Sequence, residues 1–212
     1  MHYVNSERLT LDNVNDQLRD MSAIMVAPGF GSRGIEGKLI AVRYARETDV
    51  PYFGICLGMQ CAVIEFARNV IGWNDANSSE MAQTRHAVID LMEEQKKVTA
   101  KGGTMRLGGY PSHLAKGSRA AEAYGSENVV ERHRHRYEFN SEFLADFEAA
   151  GMKAVGLNPD TGLVEGVEIP THRWFVGTQY HQEYHSTAEN PHPLFVRYVK
   201  EALKYRDEKA EK

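Results

Sequence analysis

The sequence lacks the features that mark several specialised classes of protein. Its 212 residues contain two cysteines, Cys56 and Cys61, which is too few for a disulfide-dense scaffold. No apolar run approaches the roughly 18 residues that a transmembrane helix needs, and the N-terminus lacks the charged and then apolar pattern of a signal peptide. We therefore expect a cytoplasmic protein that makes no contact with a membrane.

Charge of one sign is also lacking. The 25 Lys and Arg residues and the 29 Asp and Glu residues leave a net charge of -4, which gives no electrostatic case for nucleic-acid binding. A hydrophobic fraction of 42% and ordinary counts of glycine (18) and proline (7) exclude disordered, collagenous and fibrous proteins. The sequence shows no repeat and no low-complexity linker, so we treat residues 1–212 as one domain.

Strands and helices are predicted to alternate along the first seventy residues. Apolar runs before turn residues predict buried strands over residues 22–27 and 52–55, and helical spacing of apolar residues predicts helices over 34–49 and 59–70. Strands joined by helical crossovers pair in parallel.

The rest of the chain is predicted to be richer in strands. Strands are expected over residues 86–92, 103–108, 129–139, 152–157, 163–169 and 174–180, and helices over 141–150, with Ser141 as N-cap, and 193–207. The prediction is an α/β domain with a mixed, mostly parallel central sheet and flanking helices. Residues 2–5 could form a strand, but the opening strand, glycine turn and helix of a doubly wound fold are missing, which indicates either a smaller fold or a piece of a longer protein.

The sharpest local signal is the Gly-Ile-Cys-Leu-Gly segment at residues 54–58. A nucleophile flanked by small residues, between a buried strand and a helix, is the pattern of a nucleophile elbow. A thiol at a helix N-terminus gains thiolate character from the helix dipole, so Cys56 is a candidate nucleophile. The alternative is a buried structural cysteine in a tight turn. Cys61 is predicted to lie in the core.

A cysteine nucleophile needs a base and a group that orients the base. His181 and Glu183 lie at the end of the strand predicted over 174–180, two residues apart, so on an extended chain their side chains point the same way. An alternative, a metal site formed by His181, Glu183 and His185, is disfavoured because a closed zinc site usually has four nitrogen or sulfur ligands.

Gly29, Gly31 and Gly34 form a literal G-x-G-x-x-G sequence after a predicted strand, and Asp49 stands twenty residues beyond the first glycine. A dinucleotide-binding α/β domain is therefore the alternative function. Pro28 stiffens the turn that the first glycine should make freely, and the strand does not open the chain. The exposed N–H groups of such a turn could equally stabilise an oxyanion.

The Arg-His-Arg-His-Arg segment at residues 132–136 is typical of a strand with two different faces. Period-two alternation places Arg132, Arg134 and Arg136 on one face and His133 and His135 on the other. The net charge argues against a nucleic-acid stripe. The alternatives are a solvated edge strand or an arginine that binds a carboxylate.

With these motifs assembled, the chain resembles the class I glutamine amidotransferase domains of CTP synthetases. The resemblance rests on residues 29–38, 44–47, 54–60, 62–69, 76–80, 102–108 and 131–140. It implies a flavodoxin-like α/β fold from which the family's opening strand and helix are missing.

The resemblance also implies roles for individual residues. Cys56 would be the nucleophile, His181 its base and Glu183 the carboxylate that orients the base. The residues implied to bind the substrate are the oxyanion-hole pair, Gly29 and Leu57, together with Gln60, Glu80, Arg136 and Tyr137. Two positions depart from the family pattern: Ala27-Pro28-Gly29 replaces Pro-Gly-Gly, and Gln182 replaces the proline between the triad histidine and glutamate.

The implied substrate is L-glutamine, hydrolysed to glutamate and ammonia. The implied partner is a synthetase domain of the same chain, on which UTP is activated by ATP with Mg²⁺ to make CTP, with GTP as activator. By this likeness the amidotransferase domain itself binds no cofactor or metal, and the full enzyme is a homo-oligomer, a tetramer.

Overall fold

Helices and strands alternate early in the chain, and strands predominate later. The computed structural model describes residues 1–91 and 105–211. The strands are β1 (Ile24–Val26), β2 (Tyr52–Ile55), β3 (Asn77–Ser78), β4 (Ala87–Leu91), β5 (Arg106–Leu114), β6 (Asn128–His135), β7 (Tyr137–Phe139), β8 (Lys153–Leu157), β9 (Val164–Glu168) and β10 (Phe175–Thr178). The α-helices are α1 (Val14–Leu18), α2 (Ile35–Thr48), α3 (Leu57–Phe66), α4 (Arg119–Tyr124), α5 (Leu144–Ala150) and α6 (Pro193–Ala210).

Seven of these strands form the central sheet, in the order β1-β2-β10-β9-β8-β5-β6. Strand β2 pairs in parallel with both β1 and β10. The pairs from β10 to β6 are antiparallel. The predicted α/β fold with a mixed sheet and flanking helices is confirmed. In the central sheet of the described residues, parallel pairing is confined to β1, β2 and β10, because short turns join β8, β9 and β10, and such turns produce antiparallel neighbours.

The packing of β2 and α3 in the core holds the carboxyl end of β2 in place. All four residues of β2 are buried, and all ten residues of α3 are buried as well. Because every side of α3 is buried, this helix lies inside the protein. A π-helical turn, Ala67–Ile71, extends α3 to the position where the sequence predicts the helix to end. The first turn of α3 is therefore held firmly behind the carboxyl end of β2.

The chain changes sheets at Arg136. His135, the last residue of β6, pairs with Arg106 of the central sheet. Tyr137, the first residue of β7, pairs with Leu91 in a second sheet of order β3-β4-β7. The single strand predicted over 129–139 is thus two strands, and Arg136 lies at the break between them.

Other boundaries differ from the predictions for local reasons. The side chain of Asn140, not Ser141, accepts a hydrogen bond from Glu142 N–H (3.1 Å) and caps a 3-10 turn, Ser141–Phe143, that precedes α5. Residues 2–5 form no strand, and the short helix α1 was not predicted. Residues 92, 103 and 104 of two predicted strands lie outside the described residues.

The region that the structure describes contains no helix with the length and apolar character needed to cross a bilayer.

Candidate active site

Cys56 occupies a strained turn between β2 and α3. Its backbone has φ +50° and ψ -102°, a conformation that non-glycine residues rarely adopt. A Cβ atom on Gly54 would lie 2.6 Å from the carbonyl carbon of Gly58, and one on Gly58 would lie 2.2 Å from the carbonyl oxygen of Val26. The turn therefore requires glycine on both sides of the cysteine, as the elbow pattern predicts.

A cavity of about 550 Å³ opens above this turn. Seven of the site residues predicted from the sequence line it: Gly29, Cys56, Gln60, Glu80, Arg136, Tyr137 and His181. The two others do not line it: Leu57 follows Cys56 in the chain, and Glu183 contacts His181. Segments that are far apart in the sequence thus converge on one cavity.

His181 and Glu183 form a close pair at the cavity wall. Nδ1 of His181 lies 2.6 Å from Oε1 of Glu183. Residues Gln182–His185 form a 3-10 turn rather than an extended strand end, and the carboxylate still reaches the ring. Because a carboxylate can only accept, Nδ1 carries the hydrogen and Nε2 has the lone pair. Nε2 is buried and has no hydrogen-bond partner among the described residues, so it can accept a proton.

The alternative metal site is not assembled. Nδ1 of His185 lies 3.2 Å from the carboxylate of Glu131, whereas His181 is paired with Glu183. Within residues 1–91 and 105–211, no group of three His, Cys, Asp or Glu side chains converges as metal ligands would.

Burial dominates the electrostatics of the two thiols. Burial raises the pKa of Cys56 to about 12, while the N–H of Leu57 and the amide of Gln179 lower it and the charge of Glu183 raises it. Burial therefore opposes the thiolate character that the N–H groups of the helix N-terminus lend to this thiol, so a base that takes its proton during the attack would be useful. Cys61 is fully buried in the core as predicted, and burial raises its pKa to about 12 as well.

One N–H group of the glycine-rich loop after β1 donates to a side chain of the same protein. Gly31 N–H donates to Oε1 of Glu80 over 3.3 Å, where a dinucleotide would present a phosphate. A Cβ atom on Gly29 would lie 3.0 Å from the side chain of Leu57, so the loop packs on the first turn of α3. Strand β1 is also an edge strand of the central sheet in the described chain. The dinucleotide-binding alternative is not supported.

Opposite charges face the same cavity. The carboxylate of Glu80 and the guanidinium of Arg136 both line it, and the side chain of Gln60 donates to the carbonyl oxygen of Tyr137 over 2.9 Å. An acidic and a basic group in one small cavity suit a ligand that carries both an ammonium and a carboxylate group.

Comparison with known proteins decides the family. The model of class I glutamine amidotransferases matches residues 2–201 of this chain. The chain belongs to the class I glutamine amidotransferase family.

Similar members of this family share most of the sequence described here. The chain is 61% identical over 204 residues to the CTP synthases of Bacteroides thetaiotaomicron and Porphyromonas gingivalis, covering 96% of its own length and 38% of theirs. It is 39% identical to the glutaminase domain of Trypanosoma brucei CTPS with bound acivicin, covering 96% of this chain and 80% of that one, with a TM-score of 0.91. The chain thus spans well under half of the curated CTP synthases that it matches.

Sequence reasoning missed several residues of this amidotransferase cavity. Arg134 and His135 line it beside Arg136, although their strand pattern indicated only that arginines and histidines would lie on opposite faces. Behind His135, His133 contacts Glu165, which in turn binds Arg106 over 2.6 Å. Alternation predicts which face is buried, but the partners come from strands far away in the sequence.

Proposed function

We propose that this chain is the glutaminase domain of a CTP synthase and hydrolyses L-glutamine to glutamate and ammonia. The observation that carries the proposal is the convergence in one cavity of a cysteine at a nucleophile elbow and a histidine–glutamate pair with a free ring nitrogen. The likeness to the trypanosomal glutaminase domain supports the same reaction.

The charges in the cavity orient the substrate. Glu80 would bind the α-ammonium group of glutamine, and Arg136 its α-carboxylate. Gln60 and Tyr137 line the same wall between them. Held at its α-carbon, the substrate can direct its side-chain carboxamide toward Cys56.

The first half of the reaction forms a thioester. Nε2 of His181 takes the proton of the neutral Cys56 thiol as the sulfur attacks the carboxamide carbon. The N–H groups of Gly29 and Leu57 stabilise the oxyanion of the tetrahedral intermediate, and the loss of one such donor costs about 10²–10³ in rate. The imidazolium returns the proton to the leaving nitrogen, the C–N bond breaks, and ammonia departs.

The second half releases glutamate. His181 removes a proton from water as the water oxygen attacks the thioester carbonyl, and the C–S bond breaks to regenerate the Cys56 thiol. Glu183 holds His181 in the required tautomer and stabilises the imidazolium that forms twice in each cycle.

The ammonia would be used by another part of the protein. We propose that it passes to UTP activated by ATP with Mg²⁺ on a synthetase domain, with GTP as activator, in a cytoplasmic homotetramer. The names of the curated relatives, of which this chain spans 38%, support this step. The amidotransferase domain itself would use neither a metal nor a cofactor.

Labelling with a glutamine analogue that carries an electrophilic carbon in place of the amide tests the proposal. Mass spectrometry should find the added mass on Cys56, and excess glutamine should prevent it. Cys56→Ala should remove both the labelling and the release of ammonia from glutamine. Cys61→Ala is the matched control, since Cys61 lies in the core and not at the cavity. Ammonia release by Cys56→Ala would overturn the assignment.

A further inference from the structure

Gln179 contacts the sulfur of Cys56 from behind the cavity wall. Its side-chain Nε2 lies 3.5 Å from Sγ, and the residue is completely buried one position beyond the end of β10. Its backbone N–H donates to the carbonyl oxygen of Glu165 over 2.9 Å, which holds the main chain in place. Gln179 does not line the cavity, so its contact with the nucleophile is independent of the space available for substrate.

A second glutamine fixes which end of the Gln179 amide faces the sulfur. The side-chain nitrogen of Gln60 lies 2.9 Å from the carbonyl oxygen of Tyr137, and since that oxygen can only accept, the atom facing it is the NH₂ group. The same NH₂ group lies 3.2 Å from the amide of Gln179, which must therefore present its oxygen there. The NH₂ group of Gln179 is thereby turned toward Cys56.

We propose that Gln179 is a further catalytic residue, whose side-chain N–H holds the Cys56 sulfur and stabilises the negative charge that develops as the thiol loses its proton. This role rests on the proposed glutaminase reaction, in which Cys56 is the nucleophile. Gln60 is the positioning residue that keeps the Gln179 donor aimed at the sulfur.

Burial makes such a donor important. Cys56 is only 4% exposed, so little water is available to solvate a thiolate. The hydrogen bonds from Leu57 N–H and from Gln179 both act against the effect of burial on the pKa of Cys56. The Leu57 N–H is also the proposed donor to the oxyanion. Once that N–H turns to the substrate oxygen, Gln179 is the donor that stays on the sulfur.

Two substitutions separate this role from simple packing. Gln179→Met keeps the length of the side chain and removes the donor, and Gln179→Glu places a carboxylate in the same space. The readout is the rate at which iodoacetamide alkylates Cys56 at pH 8 without glutamine, followed by mass spectrometry. Cys61 is an internal control, because it is fully buried in the core and does not line the cavity.

Charge determines the expected order of the alkylation rates of Cys56 in the wild type and the two variants. Gln179→Met should slow alkylation of Cys56 about tenfold, since a hydrogen bond to a charged group is lost and each pKa unit changes the thiolate fraction tenfold. Gln179→Glu should slow it further because a carboxylate repels the thiolate. Cys61 should stay unreactive in both, and kcat for glutamine should fall while KM changes less than about twofold.

Other outcomes would overturn the inference. Alkylation of Cys56 in Gln179→Met at or above the wild-type rate excludes a stabilising donor. Alkylation of Cys61 in this variant would mean that the core has opened and that Gln179 only packs the core. If Gln179→Met does not fold, Gln179→Leu, which also removes the donor without adding a charge, takes its place: slower alkylation of Cys56 supports the role and an unchanged rate refutes it. If the alkylation rates of wild type and variants follow the expected order but the wild-type protein hydrolyses no glutamine, the proposed function is overturned and the contact of Gln179 with the thiol still stands.

Discussion

The hydroxyl of Thr178 donates to the side-chain oxygen of Gln182 over 3.0 Å, while its backbone carbonyl accepts the N–H of Cys56 over 2.7 Å. One residue at the end of β10 thus connects the nucleophile turn to the turn that carries His181. Gln182 stands where the family has proline, and it is completely buried. Its hydrogen bond supplies the rigidity that a proline ring would supply at this position.

Gln182→Pro should therefore be tolerated, whereas Gln182→Ala should not. Gln182 is the first residue of a 3-10 turn, His181 before it is outside the helical region (φ -111°, ψ 78°), and proline suits such a position. We expect kcat/KM for glutamine within about threefold of wild type for Gln182→Pro and up to about tenfold lower for Gln182→Ala, in proportion to one buried hydrogen bond.

A double-mutant cycle checks that Thr178 is the partner. Thr178→Val removes the hydroxyl and keeps the backbone carbonyl that binds Cys56 N–H. It should lower kcat/KM in the wild-type background and have little further effect in Gln182→Pro. An equal effect in both backgrounds would show that the hydroxyl acts through something other than Gln182.

The strain at Cys56 predicts a conflict between stability and activity. Cys56→Ala and Cys56→Gly both remove the sulfur, but only glycine adopts φ +50° and ψ -102° without the steric cost of a Cβ atom. We expect Cys56→Gly to have a free energy of unfolding about 1 kcal/mol higher than that of Cys56→Ala, measured by urea denaturation, with both variants inactive. If Cys56→Gly were less stable than Cys56→Ala, a Cβ atom at residue 56 would cause no steric strain in this turn.

The elbow and the His181–Glu183 pair could be predicted from the sequence because both depend on neighbours along the chain. Gly54 and Gly58 flank the nucleophile within one turn, and His181 and Glu183 are two residues apart. The Gln179 contact could not be predicted, because it joins segments 123 residues apart and no local pattern marks a buried amide that faces a sulfur. The change of sheet at Arg136 was missed for a related reason, since alternation continues smoothly through the break.

Glu138 predicts how stability depends on pH. It is buried beside Arg106, His135 and Glu165, and burial raises the pKa of its carboxyl to about 8, while Arg106 lowers it and Glu165 raises it. Between the pKa of about 4.5 expected for the unfolded chain and about 8, the folded protein binds more protons than the unfolded one. The free energy of unfolding therefore falls as pH rises through this window.

Glu138→Gln should remove that contribution. Relative to wild type, the variant should gain stability as pH rises from 5 to 8, by at most about 1.4 kcal/mol for each pH unit. Urea denaturation at pH 5, 6, 7 and 8 measures the difference. Glu142→Gln is a suitable control, since Glu142 is exposed at the start of a turn. Parallel curves for wild type and Glu138→Gln would show that Glu138 ionises equally in both states.

The opposite charges of Glu80 and Arg136 predict separate losses of glutamine affinity. Because each is proposed to bind a group at the α-carbon, away from the reacting amide, Arg136→Met and Glu80→Gln should raise KM for glutamine at least tenfold and change kcat much less. Arg136→Lys should fall between wild type and Arg136→Met, since lysine keeps the charge and loses the planar fork. Arg43→Met, an exposed arginine on α2 paired with Glu47, is the matched control and should leave both constants unchanged. Steady-state ammonia release over a range of glutamine concentrations measures the two constants. A fall in kcat at unchanged KM would place these side chains at the reacting amide instead of the α-carbon.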